Sequence, residues 1–305
     1  MRKIKFYIVD VFASHKYEGN QLAVFVDSEN QLSPNVMQTI AKEINFAETS
    51  FIKENKDDNR FVVKIFTPEH EVPFAGHPSI GTSFIISKFL LPEPKRKLIL
   101  ELAHSDIEIS VLQPENIDKS ILFMKQSQPE FRETFTHHEV STELGIDICH
   151  LDNSLPIQEI STGLPYIIIP VKNLDAIEKI DLQYSSFQKF LEVRKKYKTN
   201  SITGHSTSLF FFTRETYEKE NSFNTRMLLL ENNKLSEDAA TGSANGCLLA
   251  YLLRYHDKKI TATVEQGFQM GRRSYLYLEG ESKNGKYAIN IGGQTKLVSE
   301  GVWHL

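Results

Sequence analysis

The chain is poor in the residues that would assign it to several common protein classes. It has two cysteines, Cys149 and Cys247, in 305 residues. That excludes a disulfide-stapled scaffold and makes a reducing, cytoplasmic setting the expectation. Neither cysteine falls in a metal-ligand spacing. No apolar stretch approaches the roughly 20 residues that a membrane-spanning helix needs. The apolar run Phe6 to Val9 ends at Asp10 and is too short for the core of a secretion signal. Basic charge is not in excess: 35 Lys and Arg stand against 39 Asp and Glu, net −4, so no nucleic-acid footprint is present. The basic cluster Pro94-Lys95-Arg96-Lys97 reads as a solvated turn. The chain has neither a phosphate-loop lysine motif nor a Gly-x-Gly-x-x-Gly fingerprint, so no nicotinamide, flavin or nucleotide cofactor is expected. Metal motifs fail as well. His70-Glu71 opens like a zinc-protease helix, but Phe74 stands where the second histidine belongs and Pro73 would break the helix. His137-His138-Glu139 reads as a polar helix start. What remains is an intracellular enzyme or binding protein with a small-molecule partner, no cofactor, no metal, no nucleic acid and no membrane.

The residues that are present describe an ordinary globular protein, 40% hydrophobic and 24% charged, long enough for two cores. Strand patterns cover Lys5 to Phe12, Leu22 to Asp27, Phe46 to Ile52, Arg60 to Phe66 and Lys97 to Leu102. Ser33-Pro34 opens a helix whose apolar face is Val36, Met37, Ile40, Ala41 and Ile44. Glu133 to Leu144 reads as a short polar helix. Tyr184 to Tyr197 reads as another, with Arg194-Lys195-Lys196 suiting its C-terminal dipole. Gly292-Gly293 reads as a turn between strands. The connection between halves falls within Gln113 to Pro129, where proline and polar residues interrupt the pattern.

Two helical stretches differ from the rest. His77 to Leu91 and Ser243 to Tyr255 each carry apolar residues on nearly every side. A helix without a polar face must be buried. In a chain of short strands, the natural container for such a helix is a curved sheet. One per half predicts an α+β fold of two similar domains, each a mixed, mostly antiparallel sheet wrapped around a central helix.

Both helices begin with small polar residues preceded by acids. The first entry reads FTPEHEVPFAGHPSIG and the second SEDAATGSANG. A helix start presents unpaired N–H groups and partial positive charge, which suit a carboxylate or an oxyanion. On local grounds Glu48 is the best base, because alternation puts it on the same side of its strand as Phe46, and burial beside an aromatic ring favours proton exchange. Asp238 and His77 are the second participants. Each has an ordinary alternative. Glu48 reads equally as an exposed charge, His77 as a helix-start hydrogen-bonding residue and Asp238 as a cap.

Taken together, five blocks resemble the phenazine-biosynthesis isomerase-like (PhzF-like) family, related in fold to diaminopimelate epimerases. They are VDVFASHKYEGNQLAVF (Val9 to Phe25), NFAETSFI (Asn45 to Ile52), FTPEHEVPFAGHPSIG (Phe66 to Gly81), SEDAATGSANG (Ser236 to Gly246) and VEQGFQMGRRSYL (Val264 to Leu276). The resemblance implies residues 1–120 as one domain, with 296–305 returning to it, residues 121–295 as the other, and an active site in the cleft between them. It places the acid/base glutamate on Glu48, the helix-start histidine on His77, and the family's aspartate and serine on Asp238 and Ser243. Gly76 and Gly242 correspond to turn glycines whose backbone meets substrate, and Asn20 to an asparagine lining the site. Gln21 and Arg273 stand where the family usually has proline. The reactive cysteines of diaminopimelate epimerases are replaced by Ala75 at one entrance and by Ala239 and Ala240 at the other. Cys247 falls inside a buried helix, where an inert thiol is expected. The resemblance implies a homodimeric, cofactor-independent isomerase moving a proton on a small carboxylate-bearing metabolite. Alternatives are an amino-acid-type epimerase or racemase using the same cleft, and a binding or scaffold protein that keeps the fold without turnover.

Overall fold

The computed structural model describes residues 3–57, 59–103, 105–199, 206–231 and 233–305. The chain divides into two compact units. One runs up to Lys125 and takes in Gly292–Leu305, and the other is Gln126–Ile291. Both are sheet-dominated α+β structures, and no described helix is long and apolar enough to cross a membrane.

The first unit is built from β1 (Lys3–Val11), β2 (Asn20–Val26), α1 (Pro34–Ile44), β3 (Glu48–Asp57), β4 (Arg60–Phe66), β5 (Glu71–Val72), α2 (Gly76–Ile85), β6 (Lys97–Glu101), β7 (Asp106–Val111), β8 (Leu122–Lys125) and the C-terminal strand Thr295–His304. The C-terminal strand pairs antiparallel with β1, and β1 with β2. The β2–β3 and β4–β6 pairs are parallel, whereas β3–β4, β6–β7 and β7–β8 are antiparallel. The resulting mixed sheet curls around α2, which touches β1, β2, β3, β6, β7, β8 and the C-terminal strand. Alternation along the strands serves two faces. Ala23, Phe25 and Phe51 pack outward against Met37, Ile40 and Ala41 of α1. The opposite face meets α2. There Gly81 lies so close to Leu22 and Val11 that a Cβ would come within 2.6 and 2.7 Å of their side chains.

The second unit contains β9 (Glu130–Phe135), α3 (His137–Leu144), β10 (Ile157–Ser161), β11 (Pro165–Pro170), α4 (Leu174–Glu178), α5 (Tyr184–Val193), β12 (Ser208–Thr213), β13 (Phe223–Glu231), β14 (Lys234–Asp238), α6 (Gly242–Tyr255), β15 (Lys259–Gln266), β16 (Ser274–Lys283) and β17 (Lys286–Gly293), whose last two residues, Gly292 and Gly293, belong to the first unit. Again parallel pairs (β11–β12 and β13–β15) interrupt an antiparallel sheet. The runs YIIIP and LFFF do not alternate with polar residues because both faces of their strands are covered. Ile167, Ile169, Leu209 and Phe211 pack under α3 and α5, whereas Phe212 turns the other way and meets Tyr251 of α6 at 5.6 Å between ring centroids. The buried helix α6 touches β10, β11, β15 and β16.

Several expected elements differ in detail. The helix expected at Glu133 begins at His137, because Glu133 to Phe135 complete β9, and Thr136 then closes a capping box with Glu139. The helix expected to reach Tyr197 ends at Val193. Lys195 takes a left-handed φ of 55°, and Arg194 turns back to pair with Glu143 and to bond the Phe190 carbonyl. The helix expected to reach Leu91 is α-helical only to Ile85. It widens into one π turn over Ile86–Leu90 and stops where Pro92 forces Leu91 into extended geometry. Gly292 and Gly293 do not form a turn but end β17, where Phe123 and Phe12 cover them and leave no room for a Cβ.

The central helix of the first unit should carry much of that unit's stability. Phe84 of α2 is fully buried, so Phe84→Ala should cost about 3–5 kcal/mol in denaturant unfolding, the usual cost of an aromatic-sized cavity. A loss below about 1 kcal/mol would show that α2 is not the packed centre of this unit.

Candidate functional site

Asn20, Glu48, Gly76 and His77 come together in the first unit. Asn45, in the left-handed conformation at φ 56°, ends α1 and turns the chain into β3. Glu48 is the first residue of β3 and lies opposite Leu22 in the parallel β2–β3 pair. It shares its side with Ser50, whose hydroxyl meets Thr82 of α2 at 2.7 Å. That face therefore looks at the central helix, and Glu48 reaches the helix at its beginning: Glu48 Oε2 is 3.5 Å from His77 Nε2. Phe46 does not share this face. It precedes the strand and packs with the cluster on the α1 side, so it is not what lines the carboxylate.

His77 is the second residue of α2 and is buried. Its Nδ1 lies 3.3 Å from Asn20 Nδ2. Burial pushes the imidazole down from 6.5 to about 3, partly countered by the Gln21 backbone. His77 is therefore neutral near pH 7. Asn20 reaches it because the preceding loop is sharply folded. Gly19 sits at φ +68°, where a Cβ would lie 2.3 Å from the Val11 carbonyl oxygen, and the Tyr17 N–H donates to buried Asp10 at 2.6 Å.

Asp238, Gly242 and Ser243 lie together in the second unit. Asp238 ends β14 and Gly242 begins α6. The Ser243 hydroxyl is 2.7 Å from Tyr166 OH, with both residues buried. Thr241 donates from its hydroxyl to Asp238 Oδ2 at 2.5 Å, and Gln266 bonds both Thr241 and the Asp238 carbonyl. Neither α2 nor α6 has a side-chain cap: Ala75 cannot supply one, and the Thr241 hydroxyl is turned to Asp238. An uncapped helix start is the kind of place where first-turn N–H groups can receive an oxyanion. Gly76 and Gly242 are first helical residues rather than turn residues.

Sequence reasoning did not single out Tyr166, Thr241, Asn245 or Gln266. Three of them stand within the quoted blocks, but Tyr166 sits in an apolar strand run that gives no signal. Cys247 is buried in α6 beside Thr162, and burial pushes its thiol up to about 12, the state of an inert thiol. Asp147, Cys149 and His150 bring ligand-type atoms within 4.8 Å of one another, but they do so on an exposed turn whose Asp147 carboxylate is engaged by the Cys149 N–H.

The buried imidazole has a measurable consequence. Its NMR resonances should not titrate between about pH 5 and pH 8. The unfolded imidazole gains a proton below its ordinary 6.5, whereas the folded one stays neutral down to about 3. This group's stabilisation is thus complete above the ordinary value and declines as pH falls through that window, because the unfolded state binds more protons there. A titration midpoint near the ordinary value would refute the burial argument. In the same constellation, Gly19→Ala should displace Asn20 from His77 and cut turnover with little change in α2 packing. Retained activity would show that this loop does not set the position of Asn20.

Comparison with known proteins places the chain. A family model described as phenazine biosynthesis-like protein (PhzC-PhzF) matches residues 9–301. The chain is 28% identical to an uncharacterized isomerase of Mesorhizobium japonicum over 99% of each. It is also 28% identical to the trans-2,3-dihydro-3-hydroxyanthranilate isomerase of Pseudomonas fluorescens over 91% of each. The crystal structure of a PhzF-family phenazine biosynthesis protein from Bacillus anthracis superimposes with a TM-score of 0.86 at 26% identity, covering 100% of both chains. With its relatives named as isomerases and its fold matched throughout, the chain belongs to the phenazine biosynthesis-like (PhzC-PhzF) family and is an isomerase.

Proposed function

We propose that this isomerase moves a proton on a small carboxylate-bearing metabolite by general acid/base catalysis, without a cofactor, and that Glu48 carries the proton. The observation that supports this most directly is the contact between Glu48 and a buried, neutral His77 at the start of an uncapped helix. In the proposed step, Glu48 takes a proton from a carbon activated by neighbouring unsaturation and the double bond shifts. Glu48 then returns the proton to a second carbon, so the substrate and product are isomers. His77, held by Asn20, acts as a neutral hydrogen-bonding group and not as an imidazolium acid. In the second unit, Ser243 and the N–H groups from Gly242 onward have the chemistry to bind a carboxylate, and Asp238 that to orient a polar substituent. A carboxylate ring compound such as the substrate named for the Pseudomonas fluorescens relative has the chemistry this reading requires.

An epimerase with two thiols finds no support in the residues. Ala75, Ala239 and Ala240 stand at the helix entrances, and the Cys247 thiol is buried.

Incubation with trans-2,3-dihydro-3-hydroxyanthranilate and a panel of unsaturated carboxylates in deuterium oxide tests the proposal. The expected result is solvent deuterium at one carbon of an isomerised product. Glu48→Gln should lower turnover by about 10²–10⁴-fold, the usual worth of a general acid/base, with binding largely retained. Full activity in that variant would remove Glu48 from the mechanism. Inversion at a single carbon without a double-bond shift would replace the isomerisation with epimerisation.

A further inference from the structure

The turn between β14 and α6 is organised by one side chain that lies outside it. Gln266, the last residue of β15, is fully buried, and both ends of its amide are committed. Its Oε1 accepts from the Thr241 backbone N–H at 3.2 Å and from Asn245 Nδ2 at 3.0 Å. Its Nε2 donates to the Asp238 carbonyl and to Thr241 Oγ1, both at 2.9 Å. Two of these four partners are backbone groups, one an obligate donor and the other an obligate acceptor. The amide therefore has a single orientation, because its flipped form would set N–H against N–H and oxygen against oxygen.

That orientation dictates the next bond. The Thr241 hydroxyl has one proton, and its oxygen already receives an N–H from Gln266. Its proton is left to point at Asp238 Oδ2, 2.5 Å away. Gly267 presses the same segment home: at φ +75° it approaches Ala239 so closely that a Cβ would lie 2.6 Å from the Ala239 carbonyl oxygen. The Arg272 carbonyl crowds that glycine from the following loop. Other charged groups around the turn are engaged: Glu237 with Arg226, and Glu265 with Asn221, Asn224 and the N–H groups of Tyr217 and Glu218.

We propose that Gln266 is a positioning residue acting through Thr241: it fixes the direction of the Thr241 hydroxyl so that this group donates to Asp238 and holds it as a carboxylate acceptor. The role of Asp238 in the reaction rests on the function proposed above, but the relay itself can be read without substrate. Carbon-13 labelling of aspartate carboxyls, with Asp238→Asn to assign the resonance, follows the protonation of Asp238 directly. Thr241→Val, close in shape but lacking the hydroxyl, should raise its titration midpoint by about one pH unit, roughly ten-fold in proton affinity, since a hydrogen bond to the charged form is lost. Thr241→Ser keeps the hydroxyl and should leave the midpoint in place. Gln266→Glu takes the Thr241 proton for itself but also adds a charge. Its shift should therefore be smaller in the Thr241→Val background, where only the charge remains. An unmoved midpoint in Thr241→Val, or an equal shift from Gln266→Glu in both backgrounds, would reduce Gln266 to a structural strut. Undiminished turnover in Asp238→Asn would instead overturn the assignment of Asp238 and leave the relay intact.

Discussion

The first constellation depends on a buried contact between strand and helix, where Ser50 of β3 meets Thr82 of α2 at 2.7 Å. A hydroxyl pair inside an apolar sheet is tolerated only when each group satisfies the other. This pair fixes which face of β3 turns to the helix. Glu48, two residues earlier, shares that face by the strand's period of two and so meets the first turn of α2. Gly81 lets the helix approach β1 and β2 closely enough for this to happen. The position of the carboxylate is thus a consequence of how the helix is enclosed.

Burial then determines what the histidine can do. An imidazole inside the sheet loses the hydration its charged form requires, so His77 stays neutral and acts through hydrogen bonds. The second unit applies a related constraint. Amide and hydroxyl groups tie Asp238 to the start of α6: Gln266 bonds Thr241, Asn245 and the Asp238 carbonyl, and Thr241 donates to the Asp238 carboxylate. In both units the central helix begins without a side-chain cap. The polar groups that would ordinarily quench a helix start are absent, as at Ala75, or directed elsewhere, as at Thr241.

Much of this was legible in the residues. Two helices with no polar face require burial, and short strands supply the only enclosure, so the α+β architecture of wrapped helices followed before any coordinates. Glu48, His77 and Asn20 were named from motif order, and the structure brings them within hydrogen-bonding range or close to it. Phe46, by contrast, says nothing about the surroundings of Glu48: β3 starts only at Glu48, and alternation carries no information before a strand begins.

Sequence by itself determined the class of fold, the two buried helices and the residue types at their entrances, because periodicity and composition are local properties. Tertiary structure alone decided which polar groups close on one another. Gln266 lies 25 positions from Thr241 and Tyr166 lies 77 from Ser243. Partnerships at such separation are set by strand order, which no local pattern encodes. The same reason put the early end of α5 and the paired glycines of β17 beyond reach. Each answers to a neighbour met in space, through Arg194 turning to Glu143, or Phe12 and Phe123 covering a strand.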